Sequence, residues 1–116
     1  NHLFFESISA LLNKATKQKK KFGAKEIEIE TQGMFEADMA SMYSPDVIML
    51  DNFSPKNAKT AIKKIRQTDK KIKIELSGGI NFKNLKSYVN LGADRVSMGE
   101  LTKSAKMVDF SLEFEK

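Results

Sequence analysis

Residues 71–81 read Lys-Ile-Lys-Ile-Glu-Leu-Ser-Gly-Gly-Ile-Asn, and the fold predicted for the whole chain depends on this stretch. Its apolar and polar residues alternate up to position 77, which is the period-2 pattern of a β-strand. The pattern stops at Ser77-Gly78-Gly79, and Asn81 is a suitable N-cap for a helix that starts directly afterwards. A strand, a turn of small residues and a helix N-terminus together offer backbone N–H groups to a phosphate. The same residues also suit a tight βα turn without a ligand, so the rest of the chain has to decide.

The composition is that of an ordinary globular domain. The chain has 116 residues, of which 41% are hydrophobic and 30% charged, so it can form one domain with a real core. It has no cysteine and one histidine, which excludes a disulfide framework, cysteine nucleophiles and multi-histidine metal sites. No apolar run is long enough to cross a membrane and no signal peptide is visible, so we expect a cytoplasmic location. The first residue is Asn1, which indicates a start inside a longer protein.

Much of the positive charge lies in one run. The net charge is +5, and six lysines fall between Lys14 and Lys25. Lysines suit the exposed side and the C-terminal end of a helix, and they also suit a nucleic-acid surface. Because no aromatic residues are interleaved for base stacking, the pattern favours a solvated helix face. We therefore expect no nucleic-acid partner and no membrane contact.

Helical and strand patterns alternate along the chain. The predicted elements are a helix at 6–22, a strand at 25–30, a helix at 31–43, a strand at 47–50, a helix at 55–66, a strand at 72–77, a helix at 81–90, and strands at 94–99 and 109–114. Ser54 and Pro55 are the N-cap and first residue of the third helix. The second helix is expected to bury Phe35, Met39 and Met42.

The repeat of strand and helix predicts a parallel sheet. The strand ends at Glu30, Asp51, Ser77 and Gly99 are 21, 26 and 22 residues apart, which is the spacing of βα units. A barrel and an open doubly wound sheet both fit this repeat. The carboxylates of Glu26, Glu28 and Glu30 favour the barrel, because they cannot all face a packed helix layer but can face a barrel lumen. Four strands cannot close a barrel, so we expect residues 1–116, with four βα units and a C-terminal strand, to be part of a larger (β/α) barrel.

The candidate site lies at the strand ends, because ligands of α/β sheets and barrels bind beyond the carboxyl ends of the strands. The first two strands supply the carboxylates of Glu28 and Asp51, which can accept from ribose hydroxyls or hold a metal ion. The last two supply small residues and donors that suit a phosphate: Ser77, Gly78, Gly79, Ser97, Gly99 and Lys103. Glu28 could instead face solvent, Lys103 could simply be exposed, and the others could only form turns. A sugar phosphate carrying Mg²⁺ would bridge both groups.

Five motifs carry a resemblance to a known family. They are Glu-Ile-Glu-Ile-Glu at 26–30, Ile-Met-Leu-Asp-Asn-Phe-Ser-Pro at 48–55, Glu-Leu-Ser-Gly-Gly-Ile at 75–80, Val-Ser-Met-Gly-Glu-Leu-Thr at 96–102 and Asp-Phe-Ser-Leu at 109–112. Their order and spacing resemble quinolinate phosphoribosyltransferase, also called carboxylating nicotinate-nucleotide pyrophosphorylase. The resemblance covers nearly the whole chain, and the combined motifs are far more specific than a single Ser-Gly-Gly.

This resemblance implies a pentosyltransferase of NAD biosynthesis. The family joins quinolinate to 5-phosphoribosyl-1-pyrophosphate with Mg²⁺ and makes nicotinate mononucleotide, pyrophosphate and carbon dioxide. Its fold is an N-terminal α/β sandwich followed by an incomplete α/β barrel, of which residues 1–116 would be the C-terminal half, and its active site is shared across a dimer. We therefore expect the rest of the polypeptide and a second subunit, in a homodimer or higher oligomer, as partners.

The resemblance also assigns roles to the candidate residues. Glu28 and Asp51 match the acidic residues near the ribose and the metal, and are the expected catalytic pair. The two loops that bind the 5′-phosphate are matched by Ser77, Gly78 and Gly79 and by Ser97 and Gly99. Two positions depart from the family: Lys103 stands where a histidine is frequent, and Glu100 where a small residue is frequent. A lysine can still meet a phosphate as a point charge, whereas Glu100 is unfavourable there unless it points away.

The start of the chain resembles the end of a longer motif. Asn1-His2 looks like the tail of a Lys-acidic-Asn-His motif, so the N-terminal domain, the first barrel strands and the quinolinate-binding residues are expected to lie outside this sequence. We therefore expect the 116 residues to be inactive alone. Two alternatives remain: a related pyrophosphorylase associated with molybdenum transport, and a non-catalytic module that binds phosphates or assists assembly.

Overall fold

A computed structural model describes the backbone of residues 2–99 and 112–113 and the side chains of residues 8–99. The helices are α1 (His2–Phe22), α2 (Met34–Ser41) and α3 (Pro55–Thr68), with a 3₁₀ turn at Leu85–Ser87. The strands are β1 (Glu28–Thr31), β2 (Val47–Asp51), β3 (Lys73–Ser77), β4 (Arg95–Val96) and β5 (Leu112–Glu113). The predicted alternation of helix and strand is confirmed from α1 to β3. None of its helices is long and apolar enough to cross a membrane.

The strands form one sheet in sequence order, β1-β2-β3-β4-β5. The first four run parallel, and β5 pairs antiparallel with β4. A doubly wound sheet reverses its strand order at a switch point, and this sheet contains no such reversal among its described strands. Neighbouring βα units laid side by side are the arrangement of a barrel wall. The prediction of a partial barrel is therefore confirmed.

One face of the sheet is packed against the helices. The alternating residues Ile48, Leu50, Ile74 and Leu76 are at most 1% exposed, and the stripe Ala58, Ala61, Ile62 and Ile65 of α3 packs in the same core. The spacing of that stripe places its members on one side of a helix. Ser54 caps α3 as predicted, since its hydroxyl accepts from the backbone N–H of Asn57 at 3.3 Å.

The predicted apolar side of the second helix is confirmed for Met39, which is 4% exposed, and wrong for the other two residues. Phe35 is 48% exposed and Met42 is 64% exposed. The other buried residues of α2 are the small residues Ala37, Ala40 and Ser41. These three recur at the i, i+3, i+4 spacing of one helix face, and they allow α2 to approach α3 and the sheet closely. Helix packing was therefore decided by shape at this contact and not by the size of the apolar side chains.

The predicted helix at 81–90 is also wrong, because this segment forms turns around the 3₁₀ turn. Asn81 Oδ1 accepts from the backbone N–H of Asn84 at 3.2 Å, as an N-cap would. Asn84 Oδ1 in turn accepts from the backbone N–H of Asn81 at 2.8 Å. Side-chain bonds of this kind satisfy the backbone locally and compete with an α-helix. The expected cap is present, but the helix does not continue from it.

Two aspartates fix the amino-terminal ends of the strands. Asp46, one residue before β2, accepts from the backbone N–H of Ile27 and from Lys19 Nζ of α1, both at 2.7 Å. Asp94, one residue before β4, accepts from the backbone N–H of Ile74 at 2.8 Å and from a guanidinium N–H of α3. Each carboxylate therefore ties a strand to the neighbouring strand and to a helix.

Candidate active site

The face of the sheet opposite the core carries the charged residues. The register aligns Glu30, Met49, Glu75 and Arg95 in one row across β1 to β4. Glu28 faces the same side as Glu30, because alternate residues of a strand point to the same face. The predicted separation of carboxylates from the packed helix layer is therefore confirmed for both residues.

An ion-pair cluster indicates that this open face is concave. The Glu26 carboxylate accepts from Lys73 Nζ at 2.6 Å and from two guanidinium nitrogens of Arg95 at 3.0 and 3.2 Å. Glu26 lies two residues before β1, whereas Arg95 lies on β4, and three strand spacings in a flat sheet amount to about 14 Å. In a flat sheet both side chains would have to lie fully extended along the surface, so the contact is favoured by a sheet that curls around the open face, as a barrel wall does around its lumen.

A second acidic group lies deep on this face. Glu75 is only 8% exposed, and its carboxylate accepts from the hydroxyl of Ser97 on the segment after β4. Burial raises the pKa of Glu28, and the nearby Glu75 charge raises it further. Glu28 lies on the same face but is itself exposed, so we call only Glu75 and Ser97 the deep acidic cluster.

The hydrogen bonds of Ser97 bear on its predicted role. Its hydroxyl donates to Glu75, and its backbone N–H donates to the carbonyl oxygen of Leu76 at 2.8 Å. Both donors of Ser97 are therefore used inside the protein. The expectation that Ser97 binds phosphate stays a prediction, and it requires a different side-chain rotamer from the one seen here.

The carboxyl ends of β2 and β3 form the rim of the open face. Asp51, the last residue of β2, is paired in register with Ser77, the last residue of β3. Asn52 follows with a positive φ of 57°, and its Nδ2 donates to Asp51 Oδ2 at 2.7 Å. The Asn52 backbone N–H donates to the Ser77 carbonyl oxygen at 2.9 Å. These bonds join the acidic strand end to the small-residue turn.

The two glycines of the turn are required for different reasons. Gly78 and Gly79 have φ angles of 84° and 63°, which side chains disfavour. A Cβ on Gly78 would also lie 2.4 Å from Asn52 Oδ1 and 2.5 Å from the Asn52 backbone nitrogen. A Cβ on Gly79 would meet nothing within 4 Å. Glycine at 78 therefore allows two strand ends to approach, whereas glycine at 79 serves the backbone conformation alone.

The rest of the predicted phosphate site is only partly described. A Cβ on Gly99 would meet nothing within 4 Å, and the φ of Gly99 is not in the left-handed region. Packing within the described residues therefore gives no reason for glycine at this position. Lys103 and Glu100 lie outside the described residues, so their predicted roles rest on the sequence.

The structure separates the predicted acidic pair into two levels. Glu28 is paired with Val47 at the start of β2, and Asp51 lies four residues further along that strand. At the rise of a β-strand this is a separation of about 13 Å. Glu28 is the exposed first residue of β1, so the structure places it near the amino ends of the strands and not at the predicted strand end. Asp51 belongs to the rim with Asn52 and Ser77–Gly79.

The sequence places Asn52 and Glu75 at or near the predicted strand ends but assigns neither of them a role. The alternation of residues 72–77 already placed Glu75 on the polar face of its strand. Its contact with Ser97, 22 residues away, is a tertiary contact that no local pattern contains. Asn directly after a strand is a frequent turn residue, so Asn52 gave no distinct signal.

Parallel strands with a polar rim at their carboxyl ends define a ligand-binding domain of the α/β-barrel class. The family profile described as quinolinate phosphoribosyl transferase, C-terminal domain, matches residues 1–113 of this chain. The chain therefore belongs to the quinolinate phosphoribosyl transferase family and corresponds to its C-terminal domain. The resemblance inferred from the five motifs is confirmed.

Named relatives agree with this assignment. The chain is 38% identical to the probable nicotinate-nucleotide pyrophosphorylase (carboxylating) of Methanocaldococcus jannaschii over 117 residues, which cover 97% of this chain and 41% of that protein. It is 33% identical to the Homo sapiens nicotinate-nucleotide pyrophosphorylase (carboxylating) over 87 residues, which cover 75% of this chain and 29% of that protein. The chain thus spans 41% of the length of the archaeal relative.

Solved structures show the same fold. The crystal structure of NadC from Streptococcus pyogenes matches with a TM-score of 0.66 and 31% identity, over 93% of this chain and 40% of that one. The nicotinate-nucleotide pyrophosphorylase from Francisella tularensis matches with a TM-score of 0.66 and 33% identity, over 78% of this chain and 31% of that one. Both matches cover the partial barrel as a part of a longer chain.

Proposed function

We propose that this chain supplies the ribose-phosphate half of an active site that transfers a phosphoribosyl group from 5-phosphoribosyl-1-pyrophosphate to quinolinate. The reaction forms a bond from the quinolinate nitrogen to the ribose C1 and breaks the bond from C1 to pyrophosphate. It also releases one carboxylate as CO₂, and the ring carbon that loses this carboxylate takes up a proton, which gives nicotinate mononucleotide. The observation that carries the proposal is the rim, where hydrogen bonds of Asn52 link Asp51 to the Ser77–Gly79 turn in a member of this family.

The two groups at the rim suit the two ends of a phosphoribosyl ligand. Backbone N–H groups of a glycine turn suit the 5′-phosphate, since an anion can approach them without meeting a Cβ. Gly99 and Lys103 are proposed to complete this phosphate site. Carboxylates suit the ribose hydroxyls as acceptors, and they also favour the positive charge that develops on the ribose as pyrophosphate leaves. We assign this role to Asp51, with Glu28 below it.

Mg²⁺ is part of the proposal. Protein sites for Mg²⁺ commonly use one or two carboxylates together with the phosphates of the substrate, and Asp51 at the open rim fits this donor set. Glu28 is a second candidate from its place in the sequence. The described residues contain no group of three or more acidic, histidine or cysteine side chains that could hold a metal alone. Mg²⁺ would neutralise charge on the departing pyrophosphate.

The remaining barrel strands and a second subunit are the proposed partners. Among the described strands, β1 pairs on one side only, with β2. A cavity of about 340 Å³ lies between this edge and α1, and it is lined by residues 27–30 and by apolar side chains such as Ile8 and Leu12. Exposed strand edges favour pairing with further strands. We propose that a preceding strand of the longer polypeptide covers this edge, in a cytoplasmic enzyme that is a homodimer or higher oligomer.

The test is an assay of the full-length polypeptide that contains this chain, with quinolinate, 5-phosphoribosyl-1-pyrophosphate and Mg²⁺. Formation of nicotinate mononucleotide is expected from the full-length protein, and none from residues 1–116 alone. Binding of 5-phosphoribosyl-1-pyrophosphate without turnover would support the non-catalytic alternative. Turnover with another acceptor and not with quinolinate would support the pyrophosphorylase associated with molybdenum transport.

A further inference from the structure

Asn52 has a backbone conformation that its residue type disfavours. Among the described residues, Ser44 and Asn52 are the non-glycine residues with positive φ, at 47° and 57°. Asn tolerates this left-handed region better than most residues but less well than glycine. Four other left-handed positions in the described chain carry glycine. Strained residues that persist where glycine would serve point to a use of the side chain.

The side chain of Asn52 contacts both groups at the rim. Its Nδ2 donates to Asp51 Oδ2 at 2.7 Å. Its Oδ1 lies so close to Gly78 that a Cβ on that glycine would be 2.4 Å away. The Asn52 backbone N–H donates to the Ser77 carbonyl oxygen at 2.9 Å. Asn52 therefore fills the space between the acidic end of β2 and the small-residue turn after β3.

We propose that Asn52 is a positioning residue that fixes the distance between the Asp51 carboxylate and the Ser77–Gly79 turn. The proposal rests on the proposed function, in which these two groups hold the ribose and the 5′-phosphate of one ligand. A donor on a charged carboxylate is one of the stronger hydrogen bonds of proteins, and it removes rotamers of Asp51 that point away from the ligand. In the proposed function the acceptor substrate is held by residues outside this chain, so Asn52 should affect one substrate and not the other.

The experiment uses the full-length polypeptide with Asn52→Gly, which keeps the left-handed backbone and deletes the side chain. Asn52→Asp keeps the shape, but it replaces the donor with a second negative charge. Ser44→Gly is the matched control, since it changes the other left-handed residue at the opposite end of β2. Steady-state kinetics with each substrate varied, thermal unfolding and calorimetric titration of 5-phosphoribosyl-1-pyrophosphate are measured for all three.

We expect Asn52→Gly to raise the KM for 5-phosphoribosyl-1-pyrophosphate by about tenfold, to leave the KM for quinolinate within twofold, and to unfold at the wild-type temperature. Asn52→Asp should have a lower kcat/KM than Asn52→Gly, because like charges then meet at the rim. Ser44→Gly should match the wild type in both KM values.

Three results would overturn the inference. They are wild-type kinetics for Asn52→Gly, an equal rise of both KM values accompanied by a lower unfolding temperature, and wild-type kinetics for Asn52→Asp. The first would show that the side chain is not needed, the second would show a general structural role, and the third would show that the Nδ2 donor to Asp51 is not needed. A wild-type protein that neither binds 5-phosphoribosyl-1-pyrophosphate nor forms product would instead contradict the proposed function, independently of the variants.

Discussion

The two ends of the parallel sheet use similar residues for different purposes. At the amino ends, Asp46, Asp94 and Glu26 each accept from at least two groups on separate elements. At the carboxyl ends, Asp51 accepts from the side chain of its own neighbour, Asn52. Carboxylates at one end are thus bound into the fold, whereas the carboxylate at the other is oriented at an open rim.

This difference matches the division of labour in α/β barrels, where the amino-terminal face serves stability and the carboxyl-terminal face serves binding. Partners within the chain lower the pKa of Asp46, first through Lys19 and then through the Ile27 backbone N–H. Glu28, which also lies near the amino ends opposite Val47, shows the reverse effect, because burial and the nearby Glu75 charge raise its pKa. Carboxylates held by partners within the fold can therefore be separated experimentally from carboxylates that are not.

The largest expected effect concerns the close contact between Gly78 and Asn52, and it tests whether the rim also stabilises the fold. Gly78→Ala should destabilise the full-length protein by about 3 kcal/mol, because the new Cβ meets the Asn52 backbone and the residue has positive φ. Urea unfolding measures this change.

Gly79→Ala is the control for that substitution, since it has the same backbone strain but open space around the Cβ. It should cost about 1 kcal/mol. Equal losses for the two variants would show that the contact between Gly78 and Asn52 is not important for stability.

A matched pair of aspartate variants directly tests the difference between the amino and carboxyl ends of the sheet. Asp94→Asn should destabilise the protein by about 2 kcal/mol, because the carboxylate bonds both Arg66 and the Ile74 backbone N–H and is mostly buried. Asp51→Asn should change stability by less than about 0.5 kcal/mol and lower kcat/KM by about 100-fold.

Urea unfolding and steady-state kinetics of the two variants give a change in stability and a change in kcat/KM for each. The Asp94→Asn protein should keep the wild-type KM values. A loss of stability in Asp51→Asn equal to that in Asp94→Asn would remove the distinction between the two ends of the sheet.

Acid should weaken the ion-pair cluster at the amino end. The Arg95 and Lys73 hydrogen bonds lower the pKa of Glu26 from 4.5 to about 2. A carboxyl group whose pKa is lowered by folding stabilises the folded state at pH values above its usual pKa. This contribution is lost as the pH falls from about 4.5 towards 2. The urea midpoint should therefore fall less steeply between pH 5 and pH 3 in Glu26→Gln than in the wild type. Parallel curves would contradict this assignment.

The smallest expected effect concerns Glu28. Its raised pKa means that ionisation opposes folding, so stability is lost as the pH rises above the usual carboxyl range. Glu28→Gln should therefore gain up to about 0.5 kcal/mol at pH 7, with a smaller difference at pH 4, and should bind 5-phosphoribosyl-1-pyrophosphate more weakly. A variant less stable than the wild type at pH 7 would show that the Glu28 charge supports the fold.

Local sequence patterns determined much of this architecture. The alternation in residues 72–77, the apolar run of β2 and the stripe of α3 each lie within a few residues, and each reappears in the structure. The choice between a barrel and an open doubly wound sheet could also be made from the sequence, because unpaired carboxylates are too costly against a packed helix layer. The rim residues Asp51 and Ser77–Gly79 could also be selected from the sequence, since parallel strands bring their carboxyl ends to one edge.

Contacts between distant residues were decided only by the tertiary structure. Small residues, and not Phe35 and Met42, face the core on α2, because the space beside α3 sets what fits there. The sequence predicted a helix after Asn81 but not the reciprocal bonds with Asn84 that replace it. In the sequence Asn52 resembles an ordinary turn residue, and only the pairing of β3 with β2 places its side chain between Asp51 and Gly78. Periodicity reports the face of an element, whereas the partner of a side chain depends on which strand folds next to it.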